Sequence, residues 1–464
     1  MVFSSTVFLF LFLPFTILIY YNPVWTGRRF RNYFLLLASL LFYAYGEPLF
    51  VFLMIFAIGA GWFIGLQIGR SEAGRQKKCW LTLSCTGLIA MLFVFKYLTF
   101  CSHQLGWLLQ KDMSGINIAL PIGISFFTFQ LLSYLFDVYY GKAKPQKNIF
   151  NTGLYIALFP QLIAGPIVRY DWIEKQIMER QESLEDVAEG MLRFIYGLGK
   201  KVLIADYMAQ VADNIFGAGV AMSVGTAWLG AAAYTLQIYF DFSGYSDMAI
   251  GLGRMFGFRF PENFNYPYIA GSVTDFWRRW HISLSSWFRD YVYIPLGGNR
   301  CSKRRWLWNL FVVWALTGIW HGANWTFLCW GLWYFLLLIF EKQTGFAEKI
   351  GRFSHVYALL AIIFGWVIFR SASMGQAVWY MGMMLGLGSA GVTDSNFVYY
   401  LSGSWVVFVS AVLLSAPVAP FVLEKVYRFS WGRNAEALFG AAVFLLAVLK
   451  CISSSYNPFI YFNF

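Results

Sequence analysis

The chain has 464 residues, of which 59% are hydrophobic and only 12% are charged. A typical soluble domain has about 45–50% apolar and about 25% charged residues, so this composition excludes an ordinary soluble protein and a disordered one. It predicts a polytopic helical membrane protein, because no alternating ten-residue segments of the kind that build a transmembrane barrel recur along the chain. The aromatic share of 21% is typical of interfacial belts and aromatic-lined cavities.

Basic residues outnumber acidic residues by 35 to 23, which gives a formal net charge of +12. They fall in short clusters between apolar runs, as the positive-inside bias of membrane proteins produces, so we expect no nucleic-acid partner. The six cysteines form no CxxC pair and mostly lie in apolar runs, so we predict neither a disulfide framework nor a metal site. Residues 1–27 lack the features of a signal peptide and are interpreted as a retained first membrane helix.

Charge-free apolar runs predict the membrane segments, since a helical span needs about 20 mostly apolar residues. In chain order the runs are 1–27, 32–46, 48–69, 79–95, 113–136, 148–168, 214–240, 306–340, 353–369, 371–393, 395–423 and 437–449. The second and third runs, separated by Glu47 alone, form either a tight hairpin or one interrupted span. The run 306–340 is too long for one straight span, and Gly318 and Gly322 predict a break within it. We therefore predict ten to twelve membrane segments in a single integral membrane domain, 1–464.

The basic clusters also predict the orientation of the first spans. The clusters are Arg28–Arg31, Arg70–Lys78 and Lys142–Lys147. All three can face the cytoplasm if the amino terminus is outside and 32–69 is a hairpin. Beyond about residue 147 the clusters predict no topology.

The charge-rich stretch 169–201 interrupts this pattern. Ser183 begins a turn that resembles a capping box. After it, apolar residues recur at helical spacing: Leu184, Val187, Met191, Ile195 and Leu198. The pattern predicts an amphipathic helix, Ser183–Leu198, that lies along the membrane surface or against the bundle and does not cross the membrane.

The sequence contains no HExxH, P-loop, GxSxG or dinucleotide-binding signature. Gly61 and Gly65 form a GxxxG motif, which predicts close helix packing. Among the four histidines, His103 and His355 adjoin serines at the ends of apolar runs and are predicted to be solvated at an interface.

His321 differs because it lies in the middle of the run 306–340, in T-G-I-W-H-G-A-N-W. An ionisable side chain at membrane depth is costly and is therefore a functional candidate. The flanking glycines predict a broken helix, which lipid tolerates only where the backbone lines a cavity or is buried in protein. Asn324 could orient the imidazole if the local backbone is helical. The alternative is a structural histidine that is satisfied by a neighbouring carbonyl.

His281 lies in a segment that mixes arginines with tryptophans, D-F-W-R-R-W-H-I-S-L-S-S-W-F-R-D (275–290). Arginine and tryptophan together suit an anionic group beside an apolar wall. The alternative is an interfacial helix with snorkelling arginines and an aromatic belt.

Three aspartates in or beside apolar runs are further candidates for buried charges: Asp137, Asp241 and Asp247. They could form a proton or ion path, or pair with structural cations such as Arg254 and Arg259. Structural pairing is the favoured interpretation.

Several longer motifs resemble the membrane-bound O-acyltransferase (MBOAT) family, and within it the bacterial branch that acetylates alginate, peptidoglycan or cellulose. The motifs are P-E-N-F-N-Y-P-Y (261–268), W-R-R-W-H-I-S-L-S (277–285), R-D-Y-V-Y-I-P-L-G-G-N-R (289–300), G-I-W-H-G-A-N-W (318–325), P-I-G-I-S-F-F-T-F-Q (121–130), F-P-Q-L-I-A-G-P-I-V-R (159–169), Y-F-D-F-S-G-Y-S-D-M-A-I-G (239–251) and N-P-F-I-Y-F (457–462). The resemblance therefore extends over nearly the whole chain.

The resemblance implies an all-α polytopic fold whose helices surround a funnel. It implies an O-acyltransferase that carries no bound cofactor and moves acetyl from cytoplasmic acetyl-CoA toward a hydroxyl acceptor. His321 is implied as catalytic, and His281 as a residue that helps catalysis or lines the tunnel. The resemblance further implies a multi-pass protein of the bacterial cytoplasmic (inner) membrane, with a periplasmic or extracellular SGNH-type acetyltransferase partner that completes transfer to a polysaccharide.

The substrate- or donor-binding candidates lie around the two motif histidines. They are Trp277, Arg278, Arg279, Arg289, Asp290, Trp320 and Asn324. His321 could act as a base or take the acetyl group covalently, and the sequence leaves both routes open. Two other functions also stay open: a proton-coupled transporter that uses His321, Asp241 and Asp247, and D-alanyl transfer to teichoic acid from a thioester carrier protein.

Overall fold

The computed structural model describes residues 1–72, 74–113 and 115–453, so the motif N-P-F-I-Y-F (457–462) lies outside the described residues. Over these ranges the chain is helical and contains no strand, which confirms the all-α prediction. The chain divides into two compact units. Unit 1 is Met1–Phe194 with Met248–Pro261, and unit 2 is Ile195–Asp247 with Glu262–Phe464. The single-domain interpretation stays a prediction.

Ten helices of the described residues precede residue 200. They are α1 (Leu13–Tyr20), α2 (Arg28–Gly46), α3 (Phe50–Arg70), α4 (Arg75–Leu92), α5 (Leu98–Leu109), α6 (Ile124–Tyr139), α7 (Ile149–Ala157), α8 (Phe159–Leu162), α9 (Tyr170–Glu179) and α10 (Leu184–Gly199). Short π-helical segments, Phe8–Phe12 and Phe93–Tyr97, extend α1 and join α4 to α5.

Twelve further helices follow in the described part of the chain. They are α11 (Asp206–Gly217), α12 (Val224–Met255), α13 (Val273–Arg279), α14 (Ile282–Phe288), α15 (Lys303–His321), α16 (Trp325–Thr344), α17 (Phe346–Lys349), α18 (Ser354–Arg370), α19 (Met374–Met384), α20 (Ser395–Leu414), α21 (Val418–Val426) and α22 (Gly432–Ser453). Lys200–Ala205 and Arg289–Tyr293 are π-helical.

Six helical stretches of the described residues are long and apolar enough to cross a membrane. They are Phe50–Arg70, Arg75–Leu109, Trp325–Thr344, Gly351–Arg370, Ser395–Leu414 and Gly432–Ser453. Only 6% of the most apolar window of Arg75–Leu109 and 11% of that of Ser395–Leu414 are buried. So large an exposed apolar surface requires lipid rather than water around it. The protein is therefore a multi-pass membrane protein.

Six such stretches are fewer than the ten to twelve segments predicted, because several charge-free runs do not form one long helix. The run 148–168 divides into α7 and α8 at Leu158, just before Pro160 in the first turn of α8. The run 113–136 forms a helix only from Ile124, after Gly123 in the left-handed region. Two shorter apolar helices, Phe8–Tyr20 and Ile124–Tyr139, come from predicted spans.

Unit 1 is held by close helix contacts and by a charged cluster. A Cβ added at Gly61 or Gly65 of α3 would meet Leu131 or Tyr134 of α6, which confirms the packing role predicted for the GxxxG motif. At the start of α2, Arg28 and Arg31 both bind the carboxylate of Glu182. Unit 1 thus joins α2 to the segment before α10 through buried charge.

Helix α10 begins as predicted, since Ser183 Oγ accepts a hydrogen bond from the N–H of Asp186 at 3.0 Å. The predicted apolar face is wrong for Leu184 and Met191, which are exposed. The buried positions are Gly190, Phe194, Gly197, Leu198 and Gly199. The hydrophobic pattern did not predict this face, because glycines define it. A Cβ on Gly190 would collide with the backbone of Gly251 in α12. That α10 lies along the membrane surface stays a prediction.

The predicted break in 306–340 is confirmed at Gly322, which ends α15, whereas Gly318 lies inside that helix. Gly318 is instead a contact point. A Cβ added there would meet the carbonyl of Phe327, and a Cβ on Gly331 would meet the carbonyl of Trp314. Helices α15 and α16 therefore form a hairpin in unit 2 with nearly touching backbones.

Candidate active site

The segment that carries the first motif histidine is anchored by buried polar groups of unit 2. Ser272 caps α13 by accepting the N–H of Asp275 at 2.9 Å. The buried carboxylate of Glu341 in α16 accepts the N–H groups of Val273 at 2.6 Å and Thr274 at 2.9 Å. A carboxylate at a helix N-terminus satisfies donors that have no partner within the helix. Helix α13, which leads directly to His281, is thus fixed against α16.

His281 lies between α13 and α14, is 1% exposed, and has a φ of 44°. Its Nδ1 lies 3.2 Å from Oδ1 of Asn263. The ring contacts Phe242 of α12 edge-on, with centroids 4.6 Å apart. A non-glycine residue in the left-handed region carries strain that the surrounding structure must hold, and such residues cluster at functional sites.

His321 is the last residue of α15 and is 6% exposed. Three aromatic rings surround its imidazole: Trp320 and Trp330, each 4.9 Å away between centroids, and Phe369 at 5.2 Å. Helix α15 ends at His321, and Gly322 follows it at the hairpin turn. The site is therefore apolar and enclosed.

Trp320 connects the two histidines, because its ring also lies 6.0 Å from that of His281. Residues 40 positions apart in the sequence thus contribute two imidazoles to one aromatic enclosure of unit 2. Two buried imidazoles can accept, hold or pass a proton, or form a covalent bond with an acyl group.

The structure places Trp277 in the same aromatic cluster, with its ring 5.6 Å from that of Trp330. Its indole Nε1 is buried and has no hydrogen-bond partner within the described residues. Asn324 caps α16 by accepting the N–H of Thr326 at 3.1 Å, and it donates to the carbonyl of Ala372 at 3.0 Å. Asn324 could orient the imidazole of His321 only if the local backbone were helical. The backbone at this turn is not helical.

The three candidate arginines differ in their surroundings. Arg279 binds Asp275 at 3.0 Å, and Arg289, whose side chain is 62% exposed, binds Asp290 at 2.7 Å. Arg278 is exposed and has no ion-pair partner in the part of the chain that the structure describes. Of the three, Arg278 is the one whose charge is most available to a phosphate.

Two of the three candidate aspartates, Asp241 and Asp247, form ion pairs with lysines. Lys201 binds Asp206 at 2.5 Å and Asp241 at 2.9 Å, and Lys200 binds Asp247 at 2.6 Å. Structural pairing is thus confirmed for Asp241 and Asp247, although Arg254 and Arg259 bind Asp186 instead. These pairs explain why α12 continues beyond the predicted run 214–240 to Met255.

His103 and His355 are exposed, and their solvation at an interface stays a prediction. Sequence reasoning missed three residues that shape the site, Asn263, Trp330 and Phe369. Asn263 lies in the motif P-E-N-F-N-Y-P-Y. Its amide side chain among aromatic residues could have identified it as a candidate site residue. Trp330 and Phe369 lie in apolar runs that contain many similar rings, so no local pattern distinguishes them.

The fold and the enclosed histidine pair define a multi-pass helical membrane protein with a candidate group-transfer site. Residues 146–384 match the family model of MBOAT, the membrane-bound O-acyltransferase family. The chain is 40% identical to the probable alginate O-acetylase AlgI of Pseudomonas putida, over 100% of both chains. It is 31% identical to the peptidoglycan O-acetyltransferase of Helicobacter pylori, over 100% of this chain and 98% of the relative. It is 29% identical to the teichoic acid D-alanyltransferase of Bacillus subtilis, over 68% of this chain and 83% of the relative.

The chain therefore belongs to the membrane-bound O-acyltransferase family. It is an O-acyltransferase of the membrane, and the predicted enzyme class is confirmed. The family match includes both motif histidines, His281 and His321.

Proposed function

We propose that this enzyme moves acetyl from acetyl-CoA, at the cytoplasmic face of a bacterial inner membrane, toward an extracytoplasmic polysaccharide of the alginate type. His321 and His281 are the proposed catalytic residues. The observation that carries the proposal is the pair of buried imidazoles whose rings both lie near the ring of Trp320. The names of the alginate and peptidoglycan O-acetylating relatives support acetyl as the transferred group and a polysaccharide as the final acceptor. An SGNH-type partner outside the membrane would complete the transfer.

The chemistry needs a neutral imidazole near a hydroxyl group and a thioester. The imidazole takes the hydroxyl proton while the oxygen forms a bond to the thioester carbonyl carbon. The carbon–sulfur bond then breaks, and CoA leaves as a thiol after taking up a proton. If His321 instead takes the acetyl group first, the same carbon–sulfur bond breaks and the acceptor hydroxyl then displaces the imidazole. Both routes require a neutral imidazole.

Arg278 is the strongest candidate for a contact with the phosphates of CoA, because Arg279 and Arg289 bind carboxylates of their own segment. Trp277, the neighbour of Arg278, belongs to the aromatic cluster that contains Trp330 and, beyond it, His321. A donor held by Arg278 would therefore approach the enclosure along α13.

The decisive experiment measures acetyl transfer by the purified protein in lipid nanodiscs, using radiolabelled acetyl-CoA, together with polysaccharide acetylation in cells. We expect His321→Ala to retain below about 1% of the activity, because proton transfer by a positioned side chain contributes roughly 10²–10⁴ in rate. His281→Ala should lower activity by a smaller factor. His103→Ala, at an exposed histidine of unit 1, is the matched control and should be unchanged.

Gel filtration distinguishes a catalytic from a structural role. A monodisperse His321→Ala protein with near-normal transfer would overturn the assignment. An aggregated His321→Ala protein together with an active His321→Gln variant would establish the structural alternative. Dependence on a D-alanyl carrier protein instead of acetyl-CoA would contradict the proposed donor and favour D-alanyl transfer.

A further inference from the structure

Asn263 holds both the backbone and the side chain around His281. Its backbone carbonyl accepts the N–H of Ile282 at 3.0 Å. Its side-chain Oδ1 accepts the N–H of Ser283 at 3.2 Å and the Oγ–H of Ser283 at 2.9 Å. Asn263 itself is 1% exposed. These bonds surround the left-handed backbone of His281 and hold it in place.

The same bonds determine which nitrogen of His281 carries the proton. A backbone N–H can only donate, so the amide atom that faces Ser283 must be the oxygen. That oxygen also faces Nδ1 of His281 at 3.2 Å, and an oxygen acceptor there requires Nδ1 to be protonated. Burial lowers the pKa of His281 to about 3, so the ring is neutral at physiological pH. A neutral imidazole has one N–H, which leaves Nε2 with a lone pair.

Two buried atoms remain without a hydrogen-bond partner within the described residues: Nε2 of His281, an acceptor, and Nδ2 of Asn263, a donor. Buried polar atoms without partners are costly, so each needs an explanation, and a catalytic role is one of them. The rings that contact His281, those of Phe242 and Trp320, carry no charge that would compete for Nε2.

We propose that Asn263 is a positioning residue that holds His281 as the Nδ1–H tautomer and thereby presents Nε2 as the acceptor for the hydroxyl group of the acetyl acceptor. The inference rests on the proposed function. Asn263 acts through His281, as the carboxylate does in a serine-protease triad, where the wrong tautomer costs about 10⁴ in kcat.

The direct test is solid-state NMR of the whole protein in lipid with ¹⁵N-labelled histidine, with the His281 signals assigned by their loss in His281→Gln. We expect a protonated Nδ1 and a bare Nε2 at neutral pH. The opposite tautomer in the wild-type protein would overturn the proposal. This measurement needs no variant of Asn263 and no enzyme activity.

The kinetic test compares Asn263→Leu with Asn265→Leu, an exposed asparagine of the same motif. We expect Asn263→Leu to lower kcat by no more than His281→Ala does, with KM for acetyl-CoA little changed. Asn265→Leu should retain wild-type kinetics. A folded Asn263→Leu protein with wild-type kcat would refute the positioning role, even if His281→Ala is inactive. Wild-type activity that survives in both His281→Ala and His321→Ala would instead refute the proposed function.

Discussion

His281 shares its positive φ with only two other non-glycine residues of the described chain, Gln110 and Tyr266. Tyr266 lies in the same motif as Asn263, just before the short 3₁₀ segment Pro267–Ile269. Two strained residues thus lie on either side of α13, the helix that Glu341 anchors. Backbone strain of about 1–3 kcal/mol per residue persists only where several surrounding contacts hold the residue in that conformation. The hydrogen bonds of Asn263 and Glu341 supply those contacts.

Glu182 is a second residue whose burial makes it sensitive to change. It accepts hydrogen bonds from Arg28, Arg31 and Tyr20, and its side chain is 6% exposed. Burial raises the pKa of Glu182, but the hydrogen bonds from Arg28 and Tyr20 outweigh that effect and hold the pKa below its usual value. Removing the charge of Glu182 would leave the guanidinium groups of Arg28 and Arg31 without their shared partner.

We predict that Glu182→Gln lowers the free energy of unfolding by about 3 kcal/mol at pH 7, the order expected when one partner of a buried pair is removed. The folded-state pKa lies below the unfolded-state value of about 4.3. The stabilisation is therefore complete above that value and is lost as pH falls through the folded-state pKa. Thermal unfolding in detergent from pH 7 to pH 3 should show the difference from wild type shrinking in acid. Exposed Glu185→Gln is the control, and equal melting of the two variants would contradict the prediction.

The hairpin of α15 and α16 determines where His321 lies. Gly318 and Gly331 allow the two backbones to approach, and His321 follows Gly318 by three residues, less than one turn later. Any side chain at Gly331 must separate the helices, because the atom it would meet is a backbone carbonyl rather than a flexible side chain. The geometry of the site is thus coupled to a contact about one turn away.

We predict that Gly331→Ala destabilises the protein by about 1–3 kcal/mol, the usual range for overpacking, and lowers acetyl transfer because His321 shifts. Gly403→Ala in α20 is the control, since a Cβ there meets no atom within 4 Å. Alanine is the better helix former by about 1 kcal/mol, so the control should melt no lower than wild type. Thermal unfolding and the nanodisc transfer assay measure both effects. If Gly331→Ala melted at the wild-type temperature, the prediction would be contradicted, because the hairpin would then tolerate a wider separation of α15 and α16.

At the scale of the whole molecule, the first helices carry the prediction of the orientation in the membrane. The amino group of Met1 lies 3.4 Å from the carbonyl of Phe42, near the end of α2, whereas Arg28 and Arg31 lie at its start. A helix of 19 residues is about 28 Å long at about 1.5 Å per residue, close to the thickness of the hydrocarbon core. The amino terminus and the first basic cluster therefore lie at opposite ends of one helix.

We predict that the amino terminus faces outside and that Lys142–Lys147 face the cytoplasm. In a background without native cysteines, Pro48→Cys, at the same end of α2 as Met1, should react with an impermeant maleimide in intact cells. Lys144→Cys should react only after permeabilisation. Both positions are exposed, so a difference in reactivity reports sidedness rather than burial. Preferential labelling of Lys144→Cys in intact cells would reverse the assignment.

The choice of His281 as a catalytic candidate came from the family resemblance of its motif. The sequence by itself determined the membrane class, the cap at Ser183, the break at Gly322 and the choice of His321 as a candidate. These depend on composition and on neighbours within a few residues, which one sequence displays directly. Tertiary structure alone decided that Asn263 faces His281, that Trp320 joins the two imidazoles, and that lysines rather than arginines pair with Asp241 and Asp247. It also decided that glycines define the buried face of α10. Which residues contact each other depends on which distant segments of the chain come together. This chain is rich in interchangeable aromatic and apolar residues, so local patterns do not distinguish among the possible neighbours.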